Sequence, residues 1–217
     1  MRILIADDHP IFRSGLKDIL GTAIHECTVV AVEDGKAAIE QLRTENFNVA
    51  VLDVDMPELD GLQVATLVQN EEIETRIIIL TMFKDSEIFH KAMEANVNGF
   101  LLKEHSGKEL LQCIDQVMLN KRYIGKGMEE KLAEHRKLVS ERTQVEEMLD
   151  QLTQAEHKTL KLVNLNMSSK EIADRLFVTT KSVENYRSRI CKKLMLPPGN
   201  NSLMKWVMEN KEMLSKL

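Results

Sequence analysis

The chain holds 217 residues, 43% hydrophobic and 29% charged, values of a soluble globular protein with one or two domains. No apolar run approaches the ~20 residues that span a bilayer, and no cleavable signal pattern separates Met1-Arg2 from the apolar Ile3-Leu4-Ile5-Ala6, which predicts a cytoplasmic protein with no membrane partner. A formal net charge of −5, taken over the whole chain, argues against a polyanionic partner.

Along the first hundred residues, Arg2-Ile3-Leu4-Ile5-Ala6, Thr28-Val29-Val30-Ala31-Val32, Val49-Ala50-Val51-Leu52, Ile77-Ile78-Ile79-Leu80 and Gly99-Phe100-Leu101-Leu102 form short runs, apolar at nearly every position. Strands buried on both faces have this pattern. Segments of helical period alternate with them, such as Phe12, Leu16, Ile19 and Leu20, and Leu110, Ile114, Val117 and Met118 after the last run. Strand then helix, repeated five times, predicts an α/β domain over residues 1–120 with a five-stranded, doubly wound parallel sheet.

Residues 121–150 read as a linker, in which Met128 to Asp150 lacks Gly and Pro and forms one helix ~35 Å long. Leu138, Val145 and Leu152 are seven apart, as in a coiled coil, yet His135 and Arg142 occupy the companion row, so a dimerising helix and a solvated spacer both remain open. Over 151–217 only helical segments follow, at roughly 154–163, 169–176, 180–195 and 201–216, with Pro197-Pro198-Gly199-Asn200 as a breaker. Thr153 and Glu156 make a capping-box pattern, and Asn166 stands where a left-handed residue is wanted. Two short helices with a tight turn, the second carrying Lys181, Arg187, Arg189, Lys192 and Lys193, describe an all-α helix-turn-helix domain. In the last segment Leu203, Met204, Trp206, Val207, Met208 and Leu214 exceed one narrow stripe, so part closes the core and the excess suggests a dimer face. Cys27, Cys113 and Cys191 lack C-x-x-C spacing and read as buried thiols.

Charge follows the same division. Lys and Arg against Asp and Glu number 10 against 21 over residues 1–120, 7 against 7 over 121–150, and 12 against 6 over 151–217. An acidic domain is therefore joined to a basic one, and the net −5 is an average over opposite signs.

In an open parallel sheet the working residues gather at the carboxyl ends of the strands. Here Asp7 and Asp8 follow the first strand, Asp53 ends the third, Thr81 the fourth, and Lys103 the fifth. Three converging carboxylates repel one another unless a cation or an ammonium neutralises them. Mg²⁺, a hard ion that prefers oxygen, suits Asp7, Asp8, Asp53 and a backbone carbonyl just beyond. With Lys103 to pair an incoming anion and Thr81 to donate a hydroxyl, the set fits in-line transfer of a phosphoryl group onto Asp53. His9 is expected to be a loop residue beside the acidic pair rather than a ligand.

These residues, Ile3-Leu4-Ile5-Ala6-Asp7-Asp8-His9-Pro10, Asp53-x-x-Met56-Pro57 with Asp60-Gly61, Thr81 and Lys103, resemble the receiver domain of two-component response regulators. The resemblance implies that Asp53 is the phosphoacceptor and that Asp7 and Asp8 hold Mg²⁺ with the carbonyl of Asp55. It further implies that Thr81 and Lys103 bind phosphoryl oxygens and that Phe100 occupies an aromatic switch position, although a strand aromatic serves equally as core. Glu104 stands where many receivers have proline, and Met82 where a small residue is frequent, which would narrow access to the phosphoryl group.

Lys170-Glu171-Ile172-Ala173, Lys181-Ser182-Val183-Glu184-Asn185-Tyr186-Arg187 and Ile190-x-x-Lys193-Leu194 are similar to the LuxR-type output domain of the NarL/FixJ family. Tyr186, Met195 and Ala155 depart from the residues usual there. By family position Glu184, Asn185 and Ser188 face the major groove, where Asn bonds bidentately to adenine and Glu accepts from cytosine, while Lys181, Arg187 and Lys192 meet phosphates. The resemblance implies a transcription regulator, not an enzyme, with a sensor histidine kinase as phosphodonor, double-stranded DNA as partner, and a homodimer at least when phosphorylated. Two alternatives stand beside it: a phosphorylation-independent regulator whose receiver is a dimerisation scaffold, and an aspartyl-phosphate-forming phosphatase suggested by Asp53-Val54-Asp55. The latter is disfavoured because Asp7-Asp8 precede that motif.

Overall fold

A computed structural model describes residues 1–199 and 201–214, and the chain divides into two compact units, Met1–Arg136 and Lys137–Leu217. In the first, strands β1 (Arg2–Ala6), β2 (Thr28–Val32), β3 (Val49–Asp53), β4 (Arg76–Thr81), β5 (Gly99–Leu102) and β6 (Tyr123–Ile124) form one sheet in the order β2-β1-β3-β4-β5-β6. Every pairing is parallel.

The sheet has six strands, not the expected five. The extra strand, β6, is two residues long and half-buried, too short for a periodic signal. Backbone bonds fix it: Tyr123 N–H donates to Asn98 and Gly125 N–H to Phe100.

Helices α1 (Pro10–Ala23), α2 (Gly35–Thr44), α3 (Gly61–Asn70), α4 (Ser86–Glu94) and α5 (Ser106–Met118) cover the two faces. Leu4, Ala50, Leu52 and Ile79 pack with α2, α3 and α4, while Ile3, Ile5, Val49, Val51 and Ile78 pack with α1 and α5. Alternate side chains along each strand thus serve opposite cores, which is why the strand runs carry no polar face.

Helix α6 (Glu129–Asp150) begins within this unit. Met128, just before it, is fully buried among the α2–α4 core, and Leu132 packs there too. Ser86 donates a hydrogen bond to Glu134 at 2.9 Å, and His90 and His135 meet Nδ1 to Nδ1 at 2.9 Å, one ring donating to the other.

The second unit packs the end of α6 with α7 (Gln154–Asn164), α8 (Ser169–Leu176), α9 (Thr180–Lys193), α10 (Ser202–Glu209) and α11 (Lys211–Leu214). Val145, Met148, Leu149 and Leu152 join its core, whereas Leu138 is 43% exposed. The seven-residue row therefore does not lie on one surface. Thr153–Glu156 and Ser168–Glu171 form capping boxes, and Asn166 takes φ 62°. Met195 takes φ 51°, a left-handed position that favours glycine and costs a side chain ~1 to 2 kcal/mol.

The last segment, expected as one helix over 201–216, is interrupted at Asn210. The Asn210 amide donates to the carbonyl of Trp206 at 2.8 Å, a local bond that competes with the helix ladder; residues 215–217 lie outside the described residues. Of the three thiols only Cys113 is buried, and Cys27 and Cys191 are half-buried, because they sit at element ends facing partly out. Among the described residues no helix is long and apolar enough to cross a membrane.

Candidate functional site

The carboxyl ends of β1, β3 and β5 converge on one acidic pocket. Asp53 ends β3, which is buried at all five positions, so its side chain is held with 1% exposure. Behind it stands the start of α3, capped reciprocally by Asp60 and Gln63. A Cβ on Gly61 would lie 2.1 Å from the Asp53 carbonyl oxygen, which is why the Asp60-Gly61 step admits no side chain.

Asp7 is likewise 1% exposed, and Lys103 reaches both carboxylates, at 2.6 Å from Asp53 Oδ2 and 2.9 Å from Asp7 Oδ2. Its ammonium also stands 4.9 Å from the Phe12 ring centroid, a cation–π contact. Burial raises the Asp53 pKa above the ordinary carboxylate value, and the Lys103 hydrogen bond and charge do not fully offset it. For Lys103 burial pulls downward, but the hydrogen bond to Asp53 and the negative charges of Asp53 and Asp7 outweigh it and hold the ammonium charged.

Asp7, Asp8, His9 and Asp53 each bring one ligand-type atom within 4.8 Å of the others. Asp53 Oδ1 and Asp7 Oδ2 are buried without a hydrogen-bond partner, the latter keeping only its ionic contact with Lys103. Three carboxylates against one ammonium, with a buried oxygen unsatisfied, fit a hard divalent cation.

Two expected members stand apart in their bonding. The Thr81 hydroxyl, fully buried, accepts from the Phe83 N–H at 3.1 Å. Phe100 is fully buried with its ring edge-on to Phe89 at 5.1 Å, a core position in this structure. Met82, beside Thr81, is 64% exposed, and the Asp55 residue is exposed two positions beyond Asp53.

From the sequence His9 is only a loop residue beside the acidic pair. The structure places its Nδ1 at 2.6 Å from Asp8 Oδ1 and 3.3 Å from Asp7 Oδ1. Its position directly after the acidic pair was the available signal. Arg13, for which the sequence carries no signal, donates to the Asp7 carbonyl and ties α1 to the pocket.

In the second unit, Lys181, Glu184, Asn185, Ser188 and Lys192 are all exposed on α9. At ~100° per residue they share an arc of about 100°, one face of the helix. Lys181 and Glu184 pair at 3.5 Å, an exposed contact easily exchanged for another partner. Arg187 falls outside this arc, is half-buried, and donates to Ser169 on α8 at 3.3 Å. Lys193 turns inward, bonding Glu156 at 2.6 Å and the Gln151 carbonyl at 2.9 Å. Glu156 is 1% exposed; burial alone would raise its pKa, but Lys193 and Thr153 hold it below the usual range.

Fold and site define the class: an acidic-pocket receiver joined to a helix-turn-helix output domain. The family described as the response regulator receiver domain matches residues 3–115, and that of bacterial regulatory proteins, luxR family, matches 150–198. The chain belongs to the NarL/FixJ family of two-component response regulators, DNA-binding regulators of transcription.

Among relatives, it is 30% identical to the oxygen regulatory protein NreC of Staphylococcus epidermidis over 90% of this chain and 92% of that one. It is 27% identical to the nitrate/nitrite response regulator NarL of Escherichia coli over 89% of each. Of solved structures, the Salmonella typhimurium RcsB response regulator shares the fold at TM-score 0.58 and 23% identity, covering 96% of this chain and 99% of that one. A LuxR-family response regulator from Aurantimonas sp. gives TM-score 0.57 at 29% identity, over 62% of this chain and 96% of the other.

Proposed function

We propose that Asp53 is the phosphoacceptor of this response regulator, receiving its phosphoryl group from a sensor histidine kinase. The observation that carries the reading is the buried Asp53 carboxylate with one oxygen tied to Lys103 and the other without a hydrogen-bond partner. An Asp53 oxygen attacks phosphorus, the bond from phosphorus to the kinase imidazole nitrogen breaks, and that nitrogen keeps the electron pair. Lys103 and Thr81 then meet the phosphoryl oxygens. Asp7, Asp8, Asp53 and the Asp55 carbonyl would hold Mg²⁺, which when bound supplies Lewis-acid stabilisation of the transferred charge.

The exposed face of α9 reads DNA. Glu184, Asn185 and Ser188 address base edges, and Lys181, Arg187 and Lys192 address phosphates, Arg187 from beside the exposed face, where it also bonds Ser169. Residues 1–120, 121–150 and 151–217 serve as receiver, linker and output domain, with paired half-sites on DNA favouring a homodimer of the phosphorylated form. Phe100, already buried against Phe89, serves as the switch residue by changing its packing there on phosphorylation.

Incubation with acetyl phosphate and divalent cation is expected to add one phosphoryl group by intact mass, and Asp53→Ala to add none. DNA binding that is equal in the parent and Asp53→Ala under these conditions would favour the scaffold alternative.

A further inference from the structure

We propose that His9 is a metal ligand, so that the acidic pocket is a mixed nitrogen–oxygen site binding first-row transition divalent cations more tightly than Mg²⁺. This rests on the reading of the pocket as a divalent cation site and goes beyond it by adding a ligand and a selectivity.

The backbone of His9 is anchored beside the pocket, which sets where its ring can reach. The His9 backbone N–H donates to Asp7 Oδ1 at 2.8 Å. His9 is also the N-cap of α1 in extended conformation, and Pro10 opens that helix. These constraints leave its Nδ1 at 2.6 Å from Asp8 Oδ1, 3.3 Å from Asp7 Oδ1 and 3.9 Å from Asp53 Oδ2.

In a six-coordinate site with metal–ligand distances of ~2.1 Å, adjacent donors stand ~3.0 Å apart. The observed separations bracket that edge, so one ion touches the imidazole and the carboxylates after shifts of at most about 1 Å. The pocket carries its own demand for a cation beyond the acidic cluster, since Asp53 Oδ1 is unpartnered on a residue 1% exposed.

Donor chemistry sets the preference. Mg²⁺ is bound by carboxylate, carbonyl and water oxygens and gains little from an imidazole, whereas manganese, cobalt, nickel and zinc ions accept nitrogen readily. Coordination requires the neutral ring with its proton on Nε2. That nitrogen can face solvent, since the His9 side chain is 63% exposed. Asp8 Oδ1, now acting as the ring's partner, is freed to ligate the same ion.

The test uses the full chain with Mn²⁺ as probe. Electron spin-echo spectroscopy of the bound ion should show a directly coordinated nitrogen, whose coupling changes when the protein is labelled with ¹⁵N-histidine and disappears in His9→Ala. Mn²⁺ affinity should fall about tenfold in His9→Ala, with Mg²⁺ affinity, from competition, unchanged within about twofold. Bound Mn²⁺ without nitrogen coupling in the unmutated protein, or equal losses for both ions, overturns the assignment of His9 and leaves the carboxylate site standing. Absence of Mn²⁺ binding, or binding untouched by Asp53→Asn, overturns both. The labelled parent needs no substitution, so a folding defect in a variant does not obscure the result.

Discussion

Lys103 pairs with two buried carboxylates, Asp7 and Asp53, and its removal gives the sharpest test of the pocket's electrostatics. At an effective dielectric of ~20, a charge pair at 2.6 to 2.9 Å has a gross attraction of about 6 kcal/mol. Much of that offsets desolvation, and breaking a buried pair costs ~3 to 5 kcal/mol net. Against a total stability of ~5 to 15 kcal/mol for a domain, Lys103→Met should strip the receiver of a large share at neutral pH.

The pH dependence follows from the direction of the shift at Asp53. With its pKa already raised by burial and raised further without the ammonium, the folded variant prefers the protonated acid. Its stability is therefore full below the unfolded value of ~3.9 and falls as pH rises through the folded pKa. The Lys103 contribution in the parent, with a raised folded pKa, is full below ~10.4 and lost only at alkaline pH. The gap between parent and variant should widen from pH 5 to pH 8.

Urea unfolding by far-UV circular dichroism measures it, with Trp206 fluorescence reporting the second unit separately because it is the single tryptophan. Saturating Mg²⁺ at ~100 times its dissociation constant should restore about 2.7 kcal/mol. A loss below ~1 kcal/mol, or one equal at both pH values, would refute the ion-pair reasoning.

Gly61→Ala should destabilise the receiver by ~1 to 3 kcal/mol and slow phosphorylation by acetyl phosphate, because the new Cβ meets the Asp53 carbonyl at 2.1 Å; wild-type stability in urea would contradict this. Glu156→Gln should cost the second unit ~1 to 2 kcal/mol at pH 7 in Trp206-monitored unfolding, by taking the anion from Lys193, which is partly exposed and keeps the Gln151 carbonyl. Because the Glu156 pKa is lowered in the fold, this contribution is present above ~4.3 and should vanish as pH falls through the folded value. Asn185→Ala should relax discrimination at one base pair by ~1 to 3 kcal/mol, whereas Lys192→Ala should weaken all sequences alike and lower the salt slope by ~1. Mobility-shift titrations across salt and mutated sites distinguish the two, and the reverse pattern would exchange their roles.

The strand runs and the acidic residues at their ends were legible because both are local: a strand buried on two faces shows itself as consecutive apolar residues, and the residue that ends it is next in the chain. The capping box at Thr153 and the left-handed Asn166 were readable for the same reason, each depending on neighbours three or four positions away. So was the charge division, which only required counting each part separately.

What escaped the sequence depends on partners far along the chain. Strand β6 exists because Tyr123 and Gly125 find Asn98 and Phe100 across the sheet, not because two residues declare a strand. Lys193 looks like Lys192 in sequence, yet one meets buried Glu156 and the other meets solvent. Leu138, Val145 and Leu152 share a heptad spacing, but the core of the second unit takes the latter two and leaves the first exposed. His9 became part of the acidic cluster when β1 and β3 were brought side by side, since Asp53 lies 44 positions away from it in sequence. The sequence alone determined which residues could carry charge and where strands would end; the tertiary structure decided which charges are buried together, because burial and pairing are properties of the packed chain and not of its order.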